Sequence, residues 1–232
     1  MKRLSYFLHL LLLTVLTSAS SCDKNSPPPA ECPQVRRAPA EFLAYWYFPT
    51  GSYWVYHKRG ANPAEVDTVT VIGTEVRVFQ PGFNTYGLPT CTELYDYALQ
   101  HSNRRYFPGT SSNNGFRGLE SLQTQEEGGQ WFVTQESRAA NLSPLGFLWS
   151  YPQRPVGQPI ANQGPILLDT LPVRVPAGTF NRSVHLRIPF LDDSARVDYL
   201  YSYHLTRGIG TTRRVYANLG TWELTSYYLA PK

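Results

Sequence analysis

Apolar residues fall along this chain in short runs, almost all bounded by Gly, Pro, Asn or Ser. Beyond Phe42 these runs predict strands over Ser52–Lys58, Val66–Ile72, Glu75–Phe79, Phe116–Gln123, Gln130–Glu136, Leu145–Ser150, Ile166–Val175, Arg182–Ile188, Arg196–Thr206, Arg213–Ala217 and Thr221–Leu229. Alternation is clearest in Arg196–Thr206. Val197, Tyr199, Tyr201, Tyr203 and Leu205 share one face and a mostly polar set shares the other, as in a sheet that covers a core on one side. Arg182–Ile188 repeats the pattern, with Val184, Leu186 and Ile188 against Ser183, His185 and Arg187. In Thr221–Leu229, Trp222, Leu224 and Tyr228 share a face while Tyr227 and Leu229 point the other way. Thr92–His101 fits either a helix capped by Thr92 or an alternating strand, and the scattered Pro residues exclude a long helix elsewhere.

Between the strands the turn chemistry is specific. VRVPAGTF, Val173–Phe180, predicts a hairpin: Pro176 suits the second position of a turn, and Gly178 can adopt positive φ just after it. Arg207-Gly208-Ile209-Gly210 is a second Gly-bounded connection. The stretch Asn141–Pro165, broken by Leu145–Trp149, is expected to be a lid over a barrel mouth or a plug for the open side of a sheet. Ser102–Gly115 is the other long loop and carries Arg104 and Arg105.

The N-terminus has a different pattern. Lys2 and Arg3 precede an apolar run from Tyr6 to Leu16, and small residues follow up to Ser21. The run falls short of the about 20 helical residues that cross a bilayer and has the layout of a secretory leader. Residues Ala19, Ser20, Ser21 and Cys22 resemble a bacterial lipoprotein signal, with Ala19 where Leu is usual. That resemblance implies removal of residues 1–21, acylation of Cys22 and anchoring in the outer membrane, on its periplasmic or cell-surface face. Residues 22–40 then read as a Pro-rich tether, stiffened at Pro27–Pro29, with a single folded domain over 41–232.

Composition narrows the partners. The whole chain has 21 Lys and Arg against 17 Asp and Glu, and without Lys2 and Arg3 the balance is 19 to 17. So small an excess gives no whole-molecule electrostatic case for nucleic acid. The 16 Tyr, 11 Phe and 5 Trp are too many for a chain that buries nothing. Of three Cys, lipidation of Cys22 leaves Cys32 and Cys91, either a disulfide in an oxidising compartment or two separate thiols.

Catalytic and metal-binding patterns are sparse. His57, His101, His185 and His204 form no close-spaced motif, although His185 and His204 occupy polar faces of strands that could be neighbours. No metal and no cofactor is implied. Carboxylates such as Glu65, Asp67, Glu75, Glu93, Asp96, Glu120, Glu126, Glu127 and Glu136 are numerous, but a glycosidase pair is a property of folded geometry. Gly118-Leu119-Glu120-Ser121 lacks the glycine that would complete a nucleophile elbow. Aromatics remain. Tyr45, Trp46, Tyr47 and Phe48, then Tyr53, Trp54 and Tyr56, cannot all face one core from an extended segment. Tyr45, Trp46, Tyr53, Trp54 and Tyr56 are therefore candidates for a ligand surface, with core and rim packing as the alternative. Trp131, Trp149 and Trp222 read as core.

From Leu167 to Leu229 the order of VPAGTF, an alternating strand, an aromatic strand and a G-I-G turn resembles a loose group of secreted β-proteins, several of them Bacteroidetes lipoproteins. The resemblance implies an all-β, curved, meandering antiparallel sheet forming a half-barrel or open barrel, with at most one short helix. Asp67-Thr68-Val69, Asp169-Thr170-Leu171 and Asp193-Ser194-Ala195 look like the O-glycosylation acceptors of such bacteria, making Thr68, Thr170 and Ser194 candidate sites, or else ordinary Asx contacts. The functional expectation is a non-catalytic envelope lipoprotein that binds a glycan, an apolar ligand or an envelope protein on its concave sheet or loop mouth. A carboxylate-based glycan hydrolase and a purely structural or assembly protein are the alternatives.

Overall fold

The computed structural model describes residues 35–79, 91–103, 119–127, 130–136, 145–151, 155–158, 165–187, 200–216 and 219–231. The leader, Cys22, Cys32, Arg104, Arg105 and Ser194 lie outside them. One compact unit spans Gln34–Lys232. Its elements are β1 (Val35–Arg36), α1 (Ala40–Leu43), β2 (Tyr53–Lys58), β3 (Val66–Phe79), β4 (Cys91–His101), β5 (Leu119–Glu127), β6 (Gln130–Glu136) and β7 (Leu145–Tyr151). There follow β8 (Ile166–Asp169), β9 (Val173–Val175), β10 (Gly178–Phe180), β11 (Ser183–Arg187), β12 (Leu200–Thr206), β13 (Gly210–Tyr216) and β14 (Gly220–Tyr228).

Twelve strands form one sheet in the order β7-β6-β5-β4-β3-β2-β14-β13-β12-β11-β8, with β1 added beside β4. Two antiparallel meanders therefore meet where β2 pairs with β14. The sheet is open: among the described residues its edge strands β7 and β8 are not paired with each other. They are consecutive in the chain, and only residues 152–165 join them. A flat sheet would hold these edges ten strand spacings apart, about 48 Å, close to the full extension of that connection. The sheet is instead curled, as two contacts show. Trp54 Nε1 donates to the Ile209 carbonyl at 2.6 Å and Tyr56 Oη to that of Thr211 at 2.7 Å, both passing from β2 across β14.

The concave inner face is filled by the chain that precedes β2. Helix α1 is one turn long, entered from Pro39 and carrying Phe42, which is fully buried. Phe42 packs edge-on to Trp46 with ring centroids 5.7 Å apart, Trp46 meets Tyr97 at 5.9 Å, and Phe48 meets Trp54 at 5.1 Å. Each such pair adds about 0.5–1.5 kcal/mol to the stabilisation from burial alone. Against them lie Val69, Val71, Leu99, Val184, Leu186, Leu205, Trp222 and Leu224 from the sheet. The segment is held at its far side by the Gly208 amide, which donates to the Ala44 carbonyl at 2.7 Å, and by Arg207 on Glu41.

Several elements differ from the sequence expectation for identifiable reasons. Thr92–His101 is strand, because Val69–Phe79 offers it a partner over its whole length and the two expected strands of that region are one continuous β3. Val35–Arg36, within the stretch read as tether, forms β1 and lies parallel to the start of β4. Leu145–Tyr151 is neither lid nor plug; it pairs with β6 as an edge strand. Ile166–Val175 is split, with β8 on β11 and β9 forming its own hairpin with β10, where Gly178 has φ of +142°. In β14 a bulge between Leu224 and Ser226 reverses the facing of the residues at its C-terminal end. Tyr227 thus opposes Trp54, while Tyr228 stacks on Tyr53 at 5.7 Å.

Candidate functional site

Two groups of polar side chains stand out, one on each face of the sheet. The inner one is sealed. Asp67 has no solvent exposure, although it shares the parity of Val69 and Val71 on β3. Its Oδ2 lies 2.8 Å from His101 Nδ1 and 3.1 Å from an Arg214 guanidinium nitrogen, and its Oδ1 accepts from the Asn103 amide at 3.1 Å. An ionised carboxylate only accepts, so His101 Nδ1 carries the proton in that contact. Burial works against the Asp67 charge, but the His101 hydrogen bond and the positive Arg214 outweigh it and hold the carboxyl below its ordinary value. Arg214 also lies over the Tyr56 ring, 3.9 Å from its centroid. Asp67, His101, Arg214 and Tyr56 are all buried, and among the described residues the cluster acts as a lock between β3, β4 and β13.

The outer group is a ladder. Register places Asp169, His185, His204, Arg213, Glu223 and His57 opposite one another in turn on β8, β11, β12, β13, β14 and β2. His185 and His204 stack at 4.1 Å and 10°, so the sequence reading that placed them on adjacent polar faces meets its geometry here. His185 Nδ1 is 3.1 Å from Asp169 Oδ2. His204 Nδ1 is buried with no hydrogen-bond partner among the described residues. Burial, then the neighbouring His185 and Arg213, bring the His204 pKa down to about 4. Among the described residues no group of three His, Cys, Asp or Glu side chains is placed to hold a metal ion.

Where the ladder reaches β13 and β14, the β9–β10 hairpin is docked beside it. Arg213 donates to the Arg174 carbonyl at 2.7 Å and pairs with Glu223 at 2.9 Å. The Ala177 amide donates to the Leu224 carbonyl at 3.0 Å, next to the bulge of β14. The result is a solvent-open cavity of about 550 Å³ lined by Arg59, Arg174, Arg213, Glu223, Val175 and Thr179, among others. Three arginines and one glutamate line it, a local excess of two positive charges. Arg213 is held by Glu223, whereas Arg59 and Arg174 are exposed and form no ion pair among the described residues.

The aromatic candidates are placed very differently from one another. Tyr45, Trp46, Trp54 and Tyr56 are all less than a tenth exposed and belong to the core, while Tyr53 is exposed on the outer face beside Tyr228. The structure does not assemble them into one solvent-facing surface. Trp131 and Trp222 are buried as read; Trp149 lies in β7. Among the acceptor candidates, Thr68 is half-buried in β3 and Thr170 is exposed between β8 and β9. Asp169 accepts there from the Leu171 amide at 3.2 Å, an ordinary Asx contact. Cys91 is fully buried at the start of β4 and opposite Val35. Neither the cleft arginines nor the Asp67 lock was picked out in the sequence. The cleft had no local signal beyond Arg174 beside a turn; the lock had one, a charge at a core-parity position in β3. No family model, curated protein or solved structure matches the chain, so function must be argued from these sites.

Proposed function

We propose that the chain is a lipid-anchored envelope protein whose folded unit is a non-catalytic binding module, with the ligand or partner docking in the cleft under the β9–β10 hairpin. The observation that carries this reading is the contrast between the two faces. The concave face is occupied by the protein's own aromatic residues, whereas the cleft is open and lined by Arg59 and Arg174, which form no ion pair among the described residues. Binding expected across the concave sheet moves accordingly to the outer face.

What supports a non-catalytic role is the engagement of the acids. Glu41, Glu65, Asp67, Glu93, Asp96, Asp169 and Glu223 are each within ion-pair distance of an Arg, Lys or His. The membrane anchor at Cys22 rests on the leader pattern; no helix among the described residues is long and apolar enough to cross a bilayer, and this does not bear on the anchor. The pairing of Cys32 with Cys91 belongs to the same reading. It is supported by Cys91 being buried and by Val35, three residues after Cys32, lying opposite Cys91. Thr170, exposed in a connection, is the acceptor best placed for a glycan.

A structural or assembly role is the second reading, favoured by the filled inner face. The two separate in one experiment on the full chain in non-ionic detergent: a panel of glycans and aryl esters is screened for turnover and for amide shifts confined to the cleft. The binding reading expects cleft shifts without turnover. Turnover abolished by one carboxylate substitution would replace it with a hydrolase, and silence across the panel would favour assembly.

A further inference from the structure

We infer that the cleft recognises an oxyanion, a carboxylate, sulfate or phosphate group carried by a small acidic sugar or present as the free ion; this rests on the proposed binding role. The cavity, about 550 Å³, lies in the size range of small-ligand sites. Four arginines elsewhere are engaged by acids of the same chain: Arg37 by Glu93, Arg77 by Asp96, Arg207 by Glu41 and Arg214 by Asp67. In the cleft, Arg59 and Arg174 are exposed, line the same cavity and form no ion pair among the described residues. A guanidinium presents paired N–H donors that match carboxylate and phosphate oxygens, and such charge-assisted bonds are the strong ones.

The backbone beneath these side chains is fixed. The Arg59 amide donates to the Thr221 carbonyl at 2.8 Å, and the Arg174 carbonyl is held by Arg213. Arg174 lies directly opposite Thr179 in the hairpin, which adds a hydroxyl donor to the lining. Glu223 does not cancel the site, because Arg213 covers its Oε1 with two nitrogens at 2.9 and 3.1 Å. Two uncompensated positive charges remain for the ligand.

The test is a titration of the full chain in non-ionic detergent, followed at the Gly178 and Thr179 amides, with glucuronate, inorganic sulfate and neutral glucose as probes. Saturable shifts are expected with glucuronate, with sulfate or with both, weakening about tenfold in Arg59→Gln/Arg174→Gln and with added salt. Sulfate binding as tightly as glucuronate identifies the free ion as sufficient; a clear preference for glucuronate identifies the sugar acid. The double variant alters exposed side chains, so unchanged thermal unfolding verifies that the fold is intact. Shifts by glucose equal to those by glucuronate, or indifferent to both arginines, overturn the oxyanion and leave the cleft as a binding site. No saturable shift with any probe overturns the oxyanion and the cleft reading together.

Discussion

Arg214 on β13 and Asp67 on β3 meet at 3.1 Å, although β14 and β2 both run between their strands. In a flat sheet the two would start about 14 Å apart, so the contact is a direct measure of how far the sheet is curled. The pair also makes the curl specific. Removing one partner leaves a charge stranded in the interior, which costs about 3–5 kcal/mol. Asp67→Asn and Arg214→Met are each expected to lower stability by that amount in urea denaturation, while Arg77→Met, on the exposed Asp96 pair, should cost under about 1 kcal/mol. Equal, small effects at both places would show that the lock is not structural. The Asp67 carboxyl is held below its ordinary value of 3.8. Its contribution is therefore complete above that value and is lost as the pH falls through the lower, folded one.

The Gly208–Gly210 turn separates backbone strain from packing. Both glycines have positive φ, +74° and +92°. A Cβ at Gly208 would meet nothing within 4 Å, but one at Gly210 would stand 3.0 Å from Phe48 Cε2 and 3.4 Å from Trp54 Cζ2. Gly208→Ala should cost about 1–2 kcal/mol from the left-handed backbone alone. Gly210→Ala carries that cost plus about 1–3 kcal/mol for displacing rings of the inner core. Thermal unfolding of the two variants checks this; equal losses would mean that the Phe48–Trp54 contact yields freely.

Alternation made the sheet readable and failed where register, not composition, decides. Val184, Leu186, Tyr203 and Leu205 are buried as their parity requires. Alternation misjudges the register of Tyr227 and Tyr228 because a one-residue bulge at Leu224/Ser226 has no composition signal, and a slip of one residue reverses every side chain beyond it. The run from Tyr45 to Phe48 was legible as too aromatic for one face of a strand. It resolves as a non-strand segment that packs inside the sheet, a tertiary outcome that local pattern does not encode. The cleft was illegible for a related reason: Arg59, Arg174 and Arg213 come from three separated segments and meet only through the docking of the hairpin.

The proposed Cys32–Cys91 bond would tie the entry to the folded unit onto β4. Closing a loop of this length restricts the unfolded chain by about 4 kcal/mol in the loop-entropy account. Cys32→Ser and Cys91→Ser are each expected to lower the unfolding midpoint, and the double variant should lose little more than either single one. Mass spectrometry of the alkylated, unreduced chain reads the pairing directly. A Cys32 that alkylates without reduction would remove the bond from the reading.

His204 sets an acid limit on the outer face. It stacks on His185 and is flanked across the strands by Arg213, with Asp169 and Glu223 one position further along the ladder. Its folded pKa is lowered from 6.5 to about 4. Between those values the unfolded chain binds a proton that the folded one refuses, so stability falls as the pH drops through this window and is full above it. Other groups titrate in the same range, and the informative quantity is the difference between the parent and His204→Phe, which keeps a ring against His185 but cannot protonate. The midpoint of thermal unfolding should fall less between pH 7 and pH 4.5 in the variant than in the parent. Parallel curves for the two proteins would show that His204 protonates as readily in the folded chain as in the unfolded one.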